Sequence, residues 1–586
     1  MRSVMLIALL PAFLLAAGVT QPMTTIDRDL GGALPNEPVN RVRYENPPAQ
    51  PYVLIGTVDT VGGTTVDWQM NGTMPRLLVN SPDHGLHVTW MYSTSDQTTF
   101  PERNQRYNFF DYSTGEWNWV DPDFMQSGVN AYTERCGYGT LEADPASGVA
   151  YVSTHLGTPI RVDMARDMAP GGGLFEYCSG SPNVDAYLWP YMAWGQGGKL
   201  HIALNDDASR DQLYYTKVDP WCTFATPVGV AAPQPEPLFP TQNIAASKVS
   251  QKVAIAWEHS EGSPDPGFYR ISTDGGTSWQ NPEELPWPDA YSGDTLTSYH
   301  ITSMFPFYDS DDELHIVVDV MPFVAGQGYV IPAQLWHWSP SNTPNWHHIH
   351  TADPESLMAP VGYNAIFACR PSMGEGADGK LYITWEEFDG TNVESGPPEF
   401  VRADIFAAAS SDNGQTWSAP LKLTERNTTS KRFPSIVDRM VMKEGAEYLA
   451  VLYEIDIVAG FFVQGEGPAT NNPMVVQWVP TSAIGVAEPG QGAKPARLAV
   501  AARPNPFGNR TRISYAVPRA GNVSLAVFDA AGRPVRTLVS ARQGAGRYSV
   551  GWDGRDDLGA EVAAGIYFYT LSTEQASTTA KLTVVR

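Results

Sequence analysis

Four acidic residues, Glu258, Asp319, Glu386 and Glu454, each close a run of alternating apolar residues: VAIAWE, LHIVVD, LYITWE and LAVLYE. Carboxyl groups at equivalent strand ends, with Glu387 directly behind Glu386, are what positioned acid–base or nucleophilic chemistry requires. Three arginines begin other strands, Arg76 in MPRLLV, Arg370 in CRPSM and Arg432 in RFPSI. Guanidinium groups offer bidentate forks to a carboxylate, so the set could hold an anion beside the acids. The same residues also have a plain structural use. Arginine at a strand start pairs with a neighbouring acid or loop carbonyl, and an acid after a buried strand closes a solvated turn.

The elements that carry them repeat. SPDHGLHVTW, DPASGVAYVST, GQGGKLHIALN, KVSQKVAIAWE, DSDDELHIVVD, GADGKLYITWE and EGAEYLAVLYE each read as a turn followed by a strand. Their first apolar residues, from Leu86 to Leu449, recur at intervals of 51 to 68 residues. Each interval has room for four short strands, which predicts one propeller blade per repeat. The third strand residues, Val88, Tyr151, Ile202, Ile255, Ile316, Ile383 and Val451, are apolar every time. The intervening positions are often apolar too, as expected of a strand covered on both faces. The last repeat offers three strands, and TTVDWQM (64–70) is expected to supply the fourth and seal the ring, because unpaired edges would otherwise remain. Seven blades are favoured over six. On such a ring Arg76, Arg370 and Arg432 belong to the consecutive blades 1, 6 and 7 and could converge.

Two octets, STDGGTSW (272–279) and SSDNGQTW (410–417), share one order. Ser272, Asp274, Ser410 and Asp412 can accept backbone N–H groups of a tight turn, Gly276 and Gly414 permit positive φ, and Trp279 and Trp417 fold back onto the blade. The octets predict structural staples. They resemble the Asp-box, or BNR repeat, of the sialidase superfamily, and with the sevenfold pattern the resemblance spans about residues 50–480. It implies a sialidase-like β-propeller in which the box is peripheral. It further implies a site with a Tyr and Glu pair, an Asp and three arginines, for which Tyr363, the four strand-end acids and Arg76, Arg370 and Arg432 stand available. MPRL matches the family's Arg-Ile-Pro signature loosely, and six blades are usual there.

Several features point away from other chemistries. His87, His201 and His315 share one repeat position but fall on alternate blades, so they predict no metal site. The run DSDDE (309–313) lacks the spaced ligands of an EF-hand loop; it leaves room for an adventitious Ca2+ but points first to solvation, and no cofactor is expected. Cys136, Cys178, Cys222 and Cys369 form no CxxC pair and allow three disulfide pairings. The net charge of −25 divides into −31 before Arg497 and +6 from Arg497 onward. An acidic body of this kind disfavours nucleic acid and anionic membranes.

MRSVMLIALLPAFLLAAG has the layout of a secretory signal peptide (1–20), and no other run is long enough to span a membrane. An N-terminal segment (21–50), the propeller (51–480), a Pro/Gly/Ala linker (481–496) and a small β-sandwich (497–586) are expected to follow. In the last part, PNPF (504–507), VFD (527–529), Gly532-Arg533, WDG (552–554) and GIY (565–567) resemble the Ig-like domain of FlgD-type hook-assembly proteins and the related type IX secretion sorting domain. That resemblance implies a secretion machinery as partner and an extracellular or cell-surface location. The expected fold is all-β, a seven-bladed (alternatively six-bladed) propeller followed by an Ig-like sandwich. Three function classes stand: recognition of an extracellular glycan or protein, a sialidase-type glycoside hydrolase, and a mainly structural surface protein.

Overall fold

The computed structural model describes residues 53–485 and 499–585, apart from 71, 158, 179–183, 209–211, 232–241, 259–266, 286–297, 325–326, 397–398, 504, 509–510, 518–520, 544–545, 558 and 574–575. The expected leader, the N-terminal segment and most of the linker lie outside the described residues. The chain divides into two compact units, one up to Val486 and the other from Ala487. Among the described residues helix is confined to three-residue turns such as Phe124–Gln126 and Phe462–Gln464.

Among the described residues the first unit has seven antiparallel sheets of four or five strands. We number them 1 to 7 by their second strands: Gly85–Tyr92, Ala150–Gly157, Leu200–Asp206, Val253–Glu258, Leu314–Val324, Leu381–Val393 and Ala446–Asp456. These are the seven repeats read in the sequence, and their residues are buried on both faces, as in the strand Gly85–Tyr92, where all eight are covered. Covering both faces is why the runs are apolar beyond strict alternation.

The first strands, Leu78–Ser81, Cys136–Ala143, Tyr187–Trp194, Asn243–Ala246, Ser298–Tyr308, Ala368–Glu375 and Ser430–Ile436, each contact the next in order. The last returns to the first: Leu77 N–H donates to Ser435 Oγ (3.0 Å) and Asn80 N–H to Asp438 Oδ1 (3.1 Å). The fourth strand of sheet 7 comes from the other end of the chain, where Thr57–Thr64 pairs antiparallel with Asn472–Pro480. This corrects the sequence expectation: the pairing strand is 57–64, not 64–70. The sequence TVDTVGGT hid it, because the register shift between Thr60 and Gly62 brings Gly62 against the Trp90 ring, where no side chain would fit.

Residues 65–70 and 72–77, freed from the sheet, run into the interior that the first strands line. Tyr191 OH donates to Thr73 O (2.8 Å) and Asn243 Nδ2 to Met74 O (2.9 Å), while Met304 N–H donates to Thr73 Oγ1 (3.3 Å) and Leu141 N–H to Arg76 O (2.8 Å). With Leu77 on Ser435, this one segment touches the first strands of sheets 2, 3, 4, 5 and 7. Thr73 and Met74 have no exposed surface.

The second unit is a three-stranded sheet (Ala499–Arg503, Thr511–Val517, Gly546–Trp552) and a four-stranded sheet (Pro534–Gln543, Gly521–Asp529, Gly565–Thr573, Ser577–Val584). They enclose a core of Phe507, Ile513, Leu525, Val527, Trp552, Tyr569 and Leu571, a small sandwich held by alternating inward residues.

Candidate functional site

Five of the first strands carry a register shift near their start, at Gly137/Thr140, Leu188/Tyr191, Ile301/Ser303, Cys369/Ser372 and Arg432/Ser435. In four of them a non-glycine residue takes positive φ: Tyr138, Trp189, Arg370 and Phe433. Such bulges re-aim side chains, and here they turn both sheet 6 and sheet 7 arginines inward. Arg370 and Arg432 meet on one carboxylate. Arg370 Nη1 and Arg432 Nε (3.2 Å) both donate to Glu386 Oε1, and the Phe433 N–H donates to Glu386 Oε2 (2.7 Å). All three side chains are at most 3 % exposed. Burial pushes the Glu386 carboxyl up, but Arg432, Arg370 and the Phe433 N–H outweigh it and hold it below its ordinary value. The guanidinium of Arg432 lies 4.8 to 5.5 Å from the rings of Phe388, Phe433 and Phe461.

Arg76 does not join them. Carried at the end of the inward segment, it pairs with Glu142 (3.3 Å) and lies over Phe305. It lines a cavity of about 20 Å³ with Glu142, Lys248, Asp438 and Arg439, room for about one water. Lys248 of sheet 4 reaches Asp438 beyond the first strand of sheet 7 in the same place.

The other sequence candidates also have internal partners. Glu258 pairs with His300. Asp319 accepts from Thr302 Oγ1 (2.6 Å) and from the Arg370 N–H (2.8 Å), and burial raises its carboxyl. Glu387 accepts from Trp385 Nε1 (3.0 Å) and meets His350 (2.9 Å). Glu454 is fully buried and accepts from Asn472 Nδ2 (2.8 Å). Tyr363 is half-buried, with its ring 5.3 Å from Trp68 and its hydroxyl pushed up by burial and by Glu466.

The octets are turns closed by their own side chains. Asp274 accepts from the N–H groups of Thr277 (3.0 Å) and Ser278 (2.8 Å), and Asp412 from the Thr416 N–H (2.8 Å) and hydroxyl (2.6 Å). Ser272 and Ser410 accept from the N–H groups of Gly276 (2.8 Å) and Gly414 (2.9 Å). Each turn lies against the preceding sheet, with Trp279 4.9 Å from Tyr215 and Trp417 5.6 Å from His337. These ring contacts seat each octet on the sheet before it.

His87, His201 and His315 use one diagonal contact in three sheets: to Tyr107 OH (2.8 Å), Tyr215 OH (2.7 Å) and His337 Nε2 (2.9 Å). In the DSDDE turn, Ser310 N–H reaches Glu375 of sheet 6, and Asp312 accepts from Ser250 Oγ (2.9 Å) of sheet 4. Among the described residues no group of His, Cys, Asp or Glu is arranged to hold a metal ion. Cys178 and Cys222 form a disulfide, and Cys136 and Cys369 are buried thiols raised by burial. Open space lies instead on the outside of sheet 2, in a groove of about 370 Å³ lined by Asp144, Tyr151, Arg166, Asp167, Met168 and Glu176. Arg166 there stacks over Trp221 at 4.6 Å, and Tyr151 stands beside the same indole.

Sequence reasoning missed Asp67, Asp456 and Glu466, which with Glu454 feel the charge of Arg432. Asp67 sits in TTVDWQM, whose alternation imitates a strand, so nothing in its spacing signalled an interior carboxyl.

Residues 508–577 match the FlgD Ig-like domain family. A search of curated proteins returned no match. Among solved structures, the chain is similar to a polysaccharide lyase of family PL25, an ulvan lyase bound to a GlcA–Rha3S unit (12 % identity, 69 % of this chain and 100 % of that one, TM-score 0.42). It is also similar to an α-L-arabinanase of Penicillium chrysogenum (11 % identity, 62 % and 95 %, TM-score 0.34) and to a fungal copper alcohol oxidase (10 % identity, 91 % and 100 %, TM-score 0.38). At these TM-scores the likenesses assign no chemistry to this chain.

Proposed function

We propose that the first unit is a closed seven-bladed β-propeller, sealed by Thr57–Thr64, whose channel is filled by residues 65–70 and 72–77, and that the protein is an exported recognition protein rather than a hydrolase. The observation that carries this reading is the internal use of the candidate arginines and acids: Glu386 consumes both Arg370 and Arg432, and Arg76 is spent on Glu142. A hydrolase would need a paired acid and base reachable by substrate, with one proton-transfer group at hydrogen-bond distance from the reacting oxygen. The ligand is an extracellular glycan or protein, met on the outer surface. The sheet 2 groove, lined by phenol, thioether, guanidinium and carboxylate groups with the Trp221 indole stacked on its Arg166, has the mixed apolar and polar lining of a small recognition site. Export is supported by the signal-peptide layout and by the Cys178–Cys222 disulfide, which persists in oxidising compartments. The Ig-like sandwich serves as the secretion or surface-retention module.

The test is a glycan panel offered to the mature protein, reading retained ligand and newly released sugar together. The expected result is saturable retention, weakened by Tyr151→Ala or Arg166→Ala, with no release. Sugar release that disappears in Glu386→Gln would overturn the reading in favour of a sialidase-type hydrolase.

A further inference from the structure

The segment that fills the interior is held at one end by an unusual set of acids. Asp67 accepts the Phe462 N–H through Oδ2, and Trp68 packs on Tyr363 and Phe461, each at 5.3 Å. Glu466 Oε2 accepts the N–H groups of Tyr363 (3.2 Å) and Phe461 (3.1 Å), drawing the same loops together. Glu454 and Asp456 both feel the Asp67 charge; they are alternate residues of one strand, therefore on one face, and share the Asn472 Nδ2 donor (2.8 and 3.4 Å). Asp67 Oδ1, Glu454 Oε2 and Asp456 Oδ2 are buried and have no hydrogen-bond partner among the described residues. The cation facing all three is Arg432, which Glu386 already neutralises. Glu394 also faces Asp456, but it is paired with Arg402 (2.7 Å). Three buried carboxylates beside one shared guanidinium would be strongly unfavourable, and such groups take up protons instead.

We infer that residues 65–70 and 72–77 belong to a proton-latched plug, seated while Asp67, Glu454 and Asp456 are protonated and released as those protons are lost. The inference rests on the closed-ring reading above. Its direction follows from linkage. Burial, first, and then neighbouring carboxylates raise these groups, Asp67 to about 7 and the other two well above the ordinary range. Once the plug opens into water they return to about 4. Between those values the seated form binds more protons than the open form, so rising pH favours opening, by about tenfold per pH unit for each proton released. Opening would expose the rings of Trp68, Phe433 and Phe461 beside Arg432.

Hydrogen exchange of the full mature chain, normalised to intrinsic rates, tests this at about pH 5.5 and pH 7.5. In peptides covering 65–77 and 457–471, exchange is expected to rise at least about tenfold with pH in the wild type and to stay within about twofold in Asp67→Asn/Glu454→Gln/Asp456→Asn. Asp67→Asn alone serves if the triple variant does not fold. Normalised exchange that is equal at both pH values in the wild type would overturn the inference. So would an unchanged pH response in the variant, or closure of the segment by Ca2+ at fixed pH. Peptides 57–64 and 472–480 report the ring separately: protection there at both pH values shows that the ring reading stands whatever the plug does.

Discussion

Gly414 shows how little freedom a staple residue has. Its φ of +77° suits glycine, and a Cβ placed on it would lie within 2.6 Å of His337 ring atoms. Gly414→Ala therefore combines left-handed strain with a steric clash against a buried side chain, and we expect a loss of about 1–3 kcal/mol in chemical unfolding. The paired histidines set a second expectation. Burial lowers His87 and His201 to about 3, against 6.5 for the free side chain. The unfolded chain thus binds the extra protons, so their contribution is complete above about pH 6.5 and is lost as pH falls toward 3. His201→Gln is expected to flatten the fall in stability between about pH 6.5 and pH 4, measured by denaturant midpoint. Asp67, Glu454 and Asp456, whose carboxyls are raised, work in the opposite sense, losing stability as pH rises. At this scale the octets and the repeated histidines were legible, because short motifs recur with their turn chemistry intact. Arg370 and Phe433 were not, since nothing in their side chains announces positive φ inside a bulged strand.

Among the elements, the second strands were readable because two covered faces leave an almost unbroken apolar run after a turn. The closing strand was misplaced by one element. TTVDWQM alternates as a strand should, yet its Asp67, Gln69 and Met70 are buried in the interior, and the pairing falls to TVDTVGGT with two glycines and few large residues. Tertiary packing against Trp90 overrides the weaker local pattern there. The Cys178–Cys222 bridge was one of three pairings the sequence allowed; spatial approach of the hairpin that follows Leu213–Val218 to the end of sheet 2 selects it. It closes a loop with a sequence separation of 44. Replacing both cysteines by serine is expected to cost about 2–4 kcal/mol, read as a lowered denaturant midpoint under oxidising conditions and no change under reducing ones.

For the whole molecule, the account turns on whether Arg370, Glu386 and Arg432 hold sheets 6 and 7 together or wait for a ligand. Glu386 belongs to sheet 6 and Arg432 to sheet 7, so their bond crosses between consecutive sheets, and both charges are buried. Seven similar sheets give the architecture its legibility from sequence, whereas the interior depends on which carboxylate each bulged arginine meets, a long-range matter that spacing cannot encode. The most direct measurement is the unfolding free energy of the first unit in Glu386→Gln, without ligand. A structural bond leaves two guanidinium groups buried without their counter-charge, and a loss of about 3–5 kcal/mol is the predicted result. A change within about 0.5 kcal/mol would contradict the account, because it would mean that the arginines are free to hold something else.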